Sequence, residues 1–211
     1  MGLEELHEHG RRTRFDAGER LLRERAPGEE VVLILSGRVK ISHSGPEGRD
    51  TVLDFRGPGE LVGELAVLDA APRSSSVTAI EPVEALVVAA SEFRGLLERP
   101  EFALELIRVL TERFRDADRK RIEFGATDTL GRVCARLAEL AERYGEPDGT
   151  GLAISLPISQ EELASWTAAS RAGLANALRT LRELGWVETE RRRIRVVDLA
   201  ALEARAGNIQ N

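Results

Sequence analysis

Among its 211 residues the chain has a single cysteine, Cys134, so it can form no disulfide within itself and cannot alone hold a cluster through four thiolates. Histidine is nearly as scarce. His7 and His9 stand two apart in a solvated N-terminal stretch and His43 is remote in sequence, which argues against a metal site. No run approaches the roughly 18 apolar residues of a membrane span. The opening MGLEELHEHG is acidic and lacks the basic flank and apolar centre of a secretory signal, so a cytoplasmic protein without membrane contact is expected. Catalysis lacks its parts as well: Cys134 falls on an amphipathic stretch with no histidine nearby, and no general acid/base pair or metal triad stands out. The expectation is that the protein is not an enzyme.

What is present is ordinary in amount and uneven in placement. A hydrophobic content of 42% with 31% charged residues suits a globular protein of one large or two small domains. The net charge of −6 is concentrated in the first 150 residues. Between Ala168 and Arg195, seven arginines (Arg171, Arg179, Arg182, Arg191, Arg192, Arg193, Arg195) stand against Glu183, Glu188 and Glu190. Such asymmetry points to a polyanionic partner for the C-terminal part.

Short apolar runs punctuated by glycine and proline fill residues 12–90: 20–23, 30–35, 37–42, 51–55, 60–62, 76–80 and 85–89. Their length and β-branched content predict an all-β roll or barrel able to hold a small ligand, with Gly37 at a hairpin or bulge of positive φ. Ser91 is expected to cap a helix over EFRGLLER, and a longer helix follows Pro100, from about Glu101 to Phe124. Along it Ala103, Ile107, Leu110, Phe114, Ala117, Arg121 and Phe124 recur at spacings of four and three, a seam along which two chains could pair. Phe102, Leu106 and Val109 form an adjoining stripe that could pack on the β domain. Both stripes could equally face one core. Asp128–Arg132 reads as a break, 133–144 as an amphipathic helix and 145–151 (GEPDGTG) as a polar loop.

Two stretches carry chemistry. Gly63 to Ser76 reads GELAVLDAAPRSSS: Arg73 and the serines after it are what a small phosphate needs, and Glu64 is suited to a sugar hydroxyl, so the pair suggests a nucleotide. A plainer reading pairs Arg73 with Glu64 and makes the serines turn formers. Farther on, Ser159 with Glu162 forms a capping-box pattern, and a helix carrying Leu163 and Trp166 stops at Thr167-Ala168-Ala169. Ser170 caps a second helix, 171–184, with Leu174, Ala177, Leu178 and Leu181 inward. That is a helix-turn-helix, whose second helix enters the major groove. Arg171 and Asn176 are the base-reading candidates, and Ser170 and Arg179 the phosphate contacts. Ala172 and Gly173 share the exposed N-terminal face, and Ser159 and Gln160 complete the DNA-contacting set. Ala168 costs roughly 1–2 kcal/mol if its position is left-handed. Two strands follow around Arg191 and Arg192, either a DNA-contacting wing or a solvated basic hairpin.

In this order, from about Phe15 to Val197, these parts resemble the CRP/FNR family of bacterial transcription regulators, nearest in form to its cyclic-AMP receptor branch. The resemblance implies an α+β fold: an N-terminal cyclic-nucleotide-binding-like β roll (1–100), a long dimerisation helix (101–127) and a C-terminal winged helix-turn-helix (128–211). It implies ribose binding by Glu64 and cyclic-phosphate binding by Arg73, Ser74 and Ser75, with Gly63 offering backbone and Leu65 completing the cassette. The family's adenine-contacting threonine and the next polar residue fall on Ala117 and Asp118. Alanine makes no side-chain hydrogen bond there, and a carboxylate near a phosphate is repulsive by about 1 kcal/mol or more. Where the receptor branch has SRETVGR this chain has SRAGLAN, so its operator should differ. With one cysteine, the iron-sulfur branch does not fit. The expected partners are double-stranded DNA, a small effector such as cAMP or another nucleotide, a second copy of the chain, and RNA polymerase, with no tightly bound cofactor. A regulator active without ligand or with another effector, a regulatory subunit and a protein-binding module stay open as alternatives.

Overall fold

In the computed structural model, which describes residues 5–45, 50–155, 157–190 and 193–207, the chain divides into two compact units between Arg115 and Asp116. The first runs through α1 (Leu6–His9), β1 (Arg11–Phe15), β2 (Arg20–Leu22), β3 (Glu30–Ser36), β4 (Val39–Ser44), β5 (Asp50–Arg56), β6 (Leu61–Val62), α2 (Glu64–Leu68), β7 (Ser76–Ala79), β8 (Val83–Ala89) and α3 (Ala90–Leu96) into the long helix α4 (Pro100–Ala126). Two antiparallel four-stranded sheets, ordered β1-β8-β3-β6 and β2-β7-β4-β5, make the roll.

The central strand β3 explains why VVLIL is apolar without alternation. Val32 and Ile34 pack with Leu22, Val39, Val62, Val77 and Val83 between the sheets. Val31 and Leu33 point the other way, into a second core with Leu86, Val88, Phe93, Leu96, Phe102 and Leu106. A strand buried on both faces needs apolar residues at every position, and each such side chain contributes about 1.5–3 kcal/mol. Phe102 and Leu106 thus pack on the β unit, as their spacing predicts. Gly37 is left-handed (φ 76°), and a Cβ there would meet the Pro82 carbonyl oxygen at 2.2 Å, so the β3–β4 connection requires glycine.

The second unit continues with α5 (Thr129–Tyr144), β9 (Gly145–Asp148), β10 (Gly151–Ile154), α6 (Gln160–Trp166), α7 (Arg171–Glu183), β11 (Val187–Glu190), β12 (Arg193–Val196) and α8 (Leu199–Gly207), its sheet ordered β11-β12-β10-β9. Leu137, Leu140 and Ala141 of α5 are buried, as are Leu163 and Trp166 of α6 and Leu174, Ala177, Leu178 and Leu181 of α7.

One strand was not foreseen and three local expectations need correction. Arg11–Phe15 is a strand that charge concealed: it lies at a sheet edge, where only Thr13 and Phe15 are half-buried. Ser91 caps nothing, because α3 already begins at Ala90 behind an extended Ala89. The break expected at Asp128–Arg132 is shorter and earlier, at Thr127–Asp128: Asp128 is the N-cap of α5, accepting from the Gly131 N–H at 2.8 Å, and the helix starts at Thr129. The glycine- and proline-rich 145–151 stretch is mostly hairpin. Pro147 is tolerated there because β9 is an edge strand.

Candidate effector pocket and nucleic-acid interface

The segment Gly63–Ser76 is built around one backbone conformation. Gly63 is left-handed (φ 86°) where β6 turns into α2, and a Cβ there would lie 2.6 Å from both Arg73 Nη1 and Leu22 Cδ1. That space admits the Arg73 guanidinium. Arg73 is only 6% exposed, and it donates from Nη2 to the Glu30 carbonyl (2.8 Å) and from Nη1 to the Gly63 carbonyl (3.3 Å). Its backbone is clamped from the other side by the 25–26 turn, with Arg25 N–H donating to Arg73 O and Arg73 N–H to Ala26 O, both at 2.9 Å. Burial lowers the pKa of Arg73, and the carboxylates of Glu30, Glu29 and Glu64 pull it back up.

Glu64, 4% exposed, is not the partner of Arg73. Its Oε1 accepts from Arg113 Nη1 at 2.7 Å, while Arg113 Nη2 donates to the Leu61 carbonyl at 2.7 Å. Burial lowers the Arg113 pKa and Glu64 opposes that shift. Arg113 was missed in the sequence, although a signal existed: Phe102, Leu106, Val109 and Arg113 continue one stripe at spacings of four, three and four, so a charge stands where the core-facing pattern calls for an apolar residue. Gly63, Glu64 and Arg73 are therefore brought together. Leu65 and Ser74 are exposed and Ser75 is half-buried, while Ser76, the third serine, is buried with its Oγ accepting from the Glu24 N–H at 3.1 Å. Ala117 and Asp118 belong to the second unit, where Asp118 pairs with Arg121 at 3.5 Å.

In the second unit, α6 opens with a complete capping box: Ser159 Oγ accepts from Glu162 N–H (3.1 Å) and Glu162 Oε2 accepts from Ser159 N–H (2.7 Å). The turn after α6 places Ala168 at φ 46°, in the left-handed region, so the cost to alanine raised as a condition applies. Arg132 of α5 holds that turn, donating to the carbonyls of Thr167 (3.1 Å) and Ala168 (3.3 Å). Ser170 caps α7 by accepting from Gly173 N–H at 3.0 Å, which leaves its own hydroxyl proton to donate. Ser159, Gln160, Ser170, Arg171, Ala172, Asn176 and Arg179 are all exposed on this α6–α7 pair. Gly173 is half-buried, and a Cβ added there would meet Ser170 Oγ at 3.2 Å and Thr129 Cγ2 at 3.4 Å. Asn176 Oδ1 already accepts from Arg179 Nη2 at 3.1 Å.

The basic surplus shrinks once the fold is formed. Arg171 pairs with Glu161 (2.5 Å), Arg193 with Asp148 (2.8 Å), and Arg195 with both Glu188 (2.9 Å) and Asp148 (3.5 Å). Two of those carboxylates lie outside the 168–195 window, where counting could not find them. Strands β11 and β12 form the expected hairpin, and Arg191 and Arg192 lie outside the described residues. Cys134 is buried, and burial pushes its thiol up to about 11, which leaves it inert near neutrality.

Two family models match: a cyclic nucleotide-binding domain over residues 12–100 and a Crp-like helix-turn-helix domain over residues 131–205. The chain is 35% identical to a CRP-like cAMP-activated global transcriptional regulator of Mycobacterium tuberculosis, across 91% of this chain and 86% of that protein. It is 30% identical to the cyclic AMP receptor protein of Thermus thermophilus, across 83% and 79%. The crystal structure of a CRP/FNR-family transcriptional regulator from the same organism superposes with a TM-score of 0.81 at 21% identity, covering 94% of this chain and all of that one. The first matched range takes in Gly63, Glu64 and Arg73 of the β roll, and the second takes in the helix-turn-helix with Arg171 at the start of its second helix. The chain belongs to the CRP/FNR family of DNA-binding transcription regulators and carries that family's cyclic nucleotide-binding domain.

Proposed function

We propose that this regulator takes a cyclic nucleotide in its first unit and, as a homodimer, holds its DNA site more tightly when the nucleotide is bound. The observation that carries the reading is the condition of Arg73, a buried guanidinium whose two hydrogen-bond partners are neutral carbonyls. The carboxylates of Glu30, Glu29 and Glu64 attract this charge without hydrogen-bonding to it and offset only part of the cost of its burial. A phosphate would supply a direct counter-charge through a two-pronged, charge-assisted contact. The Gly63 contact, at 3.3 Å, is the weaker of the two and the easier to exchange. Ser74 and Ser75 follow directly with hydroxyls. Glu64 would accept from a ribose hydroxyl while Arg113 keeps it ionised and in place, with Gly63 and Leu65 supplying backbone.

The purine is held less firmly in this reading. Ala117 has no side-chain donor or acceptor and Asp118 is engaged by Arg121, so sugar and phosphate carry the affinity. Cyclic AMP is the first nucleotide to test, since the Mycobacterium relative is described as cAMP-activated. Pairing of two chains runs along α4, whose Ile107 and Phe114, seven residues apart, are 57% and 66% exposed. Arg171 and Asn176 read bases, and Ser159, Gln160, Ser170 and Arg179 hold phosphates. RNA polymerase is the protein partner implied, and the cytoplasm the place. The nucleotide must favour the DNA-competent state over the other to have any effect.

Calorimetry of the full chain against cAMP, cGMP and cyclic di-GMP, together with sedimentation to fix its oligomeric state, tests this. One site per chain for cAMP on a dimer, and tighter binding to a duplex selected from random DNA when cAMP is added, is the expected result. No heat with any of the three leaves a regulator that acts without a nucleotide.

A further inference from the structure

Glu161 gives the DNA-reading surface a feature that neither a phosphate grip nor a base contact explains. It is the second residue of α6, exposed like Gln160 before it, and its Oε2 lies 2.5 Å from Nη2 of Arg171, the first residue of α7. The pair bridges the two helices of the helix-turn-helix across a turn fixed by Arg132. Its side chains are 64% and 73% exposed, so desolvation has not forced them together and either can turn to another partner. The α6 cap does not need Glu161, because Glu162 completes the capping box.

A carboxylate beside a DNA-facing arginine acts differently on the two kinds of acceptor a duplex offers. Phosphate oxygens carry full negative charge, so a phosphate meeting Arg171 must displace Glu161 or sit against it. The acceptors on a guanine edge are neutral and demand direction rather than charge. A guanidinium has five N–H donors, and an ion pair through Nη2 leaves others free to reach a base. Holding one edge of the group also fixes its plane. We infer that Glu161 is a specificity-determining residue: it masks the charge of Arg171 from the phosphates of random DNA while leaving the same arginine able to read a base. The inference rests on the assignment of Arg171 to the bases. The raised pKa of Arg171 has the same origin, its hydrogen bond and attraction to Glu161.

The test compares wild type, Glu161→Gln, Arg171→Ala and the double variant on two probes: a random-sequence duplex and the duplex that wild type selects most strongly from a random pool. Affinities are read across a salt series. Glu161→Gln is expected to bind the random duplex about five- to tenfold more tightly near 0.1 M salt, and to steepen the logarithmic salt dependence by about 0.9 for each engaged protomer. Its affinity for the selected duplex should rise less, so discrimination falls. In the Arg171→Ala background, Glu161→Gln should change neither quantity. Melting temperature unchanged in Glu161→Gln confirms that the helix-turn-helix is intact. Unchanged random-duplex affinity and slope in Glu161→Gln, or a gain that persists without Arg171, overturns the inference and leaves Arg171 a base reader. If Arg171→Ala binds the selected duplex as tightly as wild type, the base-reading role falls and the inference falls with it.

Discussion

The candidate effector site and the candidate DNA-reading surface use the same side chain in opposite ways. In the β roll, Arg73 and Arg113 are drawn into the protein, one onto neutral carbonyls and the other onto a single buried carboxylate. In the helix-turn-helix and its hairpin, Arg171 stays exposed and Arg193 and Arg195 half-buried, each against a carboxylate. A buried guanidinium has its geometry fixed by the fold before any ligand arrives, and its charge is expensive until one does. An exposed one loses little by waiting in a screened ion pair, because such pairs contribute only about 0–1 kcal/mol. The first arrangement suits a ligand of one shape; the second suits a surface that must sample many sites and keep few.

The largest effect should come from removing Arg73, the buried charge whose hydrogen bonds go to carbonyls rather than to a carboxylate. Arg73→Ala is expected to weaken cyclic AMP binding by about 3–5 kcal/mol, two to four decades in calorimetry, since a charge-assisted contact to phosphate is lost from a desolvated place. The folded protein should tolerate the change, because the partners left behind are carbonyls rather than an ion. Arg113→Ala reverses that pattern. It abandons Glu64 as a buried carboxylate, and the unfolding transition of the N-terminal unit should lose about 3 kcal/mol, the low end for breaking a buried pair because Arg113 is partly exposed. Adding Glu64→Gln should restore part of that loss in urea unfolding. If Arg113→Ala is neutral and Arg73→Ala unfolds the unit, the contrast between the two arginines is wrongly drawn.

Much of the fold was legible because its signals are local. The β runs, the capping box at Ser159 and the inward face of α7 each follow from spacing within a dozen residues. Arg11–Phe15 was hidden because an edge strand exposes nearly every side chain, and β9 because glycine and proline are read as loop even where an edge strand accepts them. In the sites, Glu64 and Arg73 could be found by type and spacing, but not their partners. Arg113 lies 49 residues from Glu64, and Asp148 45 residues from Arg193. A local count of charge cannot include carboxylates that only folding delivers, and so the basic surplus was overestimated. Ala168 was legible only as a condition, a cost to alanine if the turn there is left-handed, and its φ of 46° meets that condition. Ala168→Gly should raise stability by about 1 kcal/mol, relieving left-handed strain less the extra freedom glycine gains in the unfolded chain. Its measurement is a melting curve of the full chain.

The smallest effect lies at Asp128, where surface ion pair and backbone contact share one carboxylate. Oδ1 accepts from the Gly131 N–H at 2.8 Å and Oδ2 from Arg205 at 2.6 Å, and the side chain is about half exposed. The Gly131 hydrogen bond, with Arg205 and Arg132 adding to it and slight burial opposing, holds its pKa below the usual 3.8. A carboxylate whose folded pKa is depressed stabilises the fold fully above its unfolded pKa, and that contribution is lost as pH falls below 3.8 through the folded value. Asparagine caps a helix as well as aspartate does, so Asp128→Asn isolates the charge. Screening at a half-exposed position limits its worth to about 0.5 kcal/mol near neutrality. Wild type and Asp128→Asn should therefore melt slightly apart near neutrality and converge as the pH drops below 3.8. A gap that persists in acid would mean that the carboxylate stabilises α5 by shape alone, and that surface charges in this unit matter even less than those in the β roll.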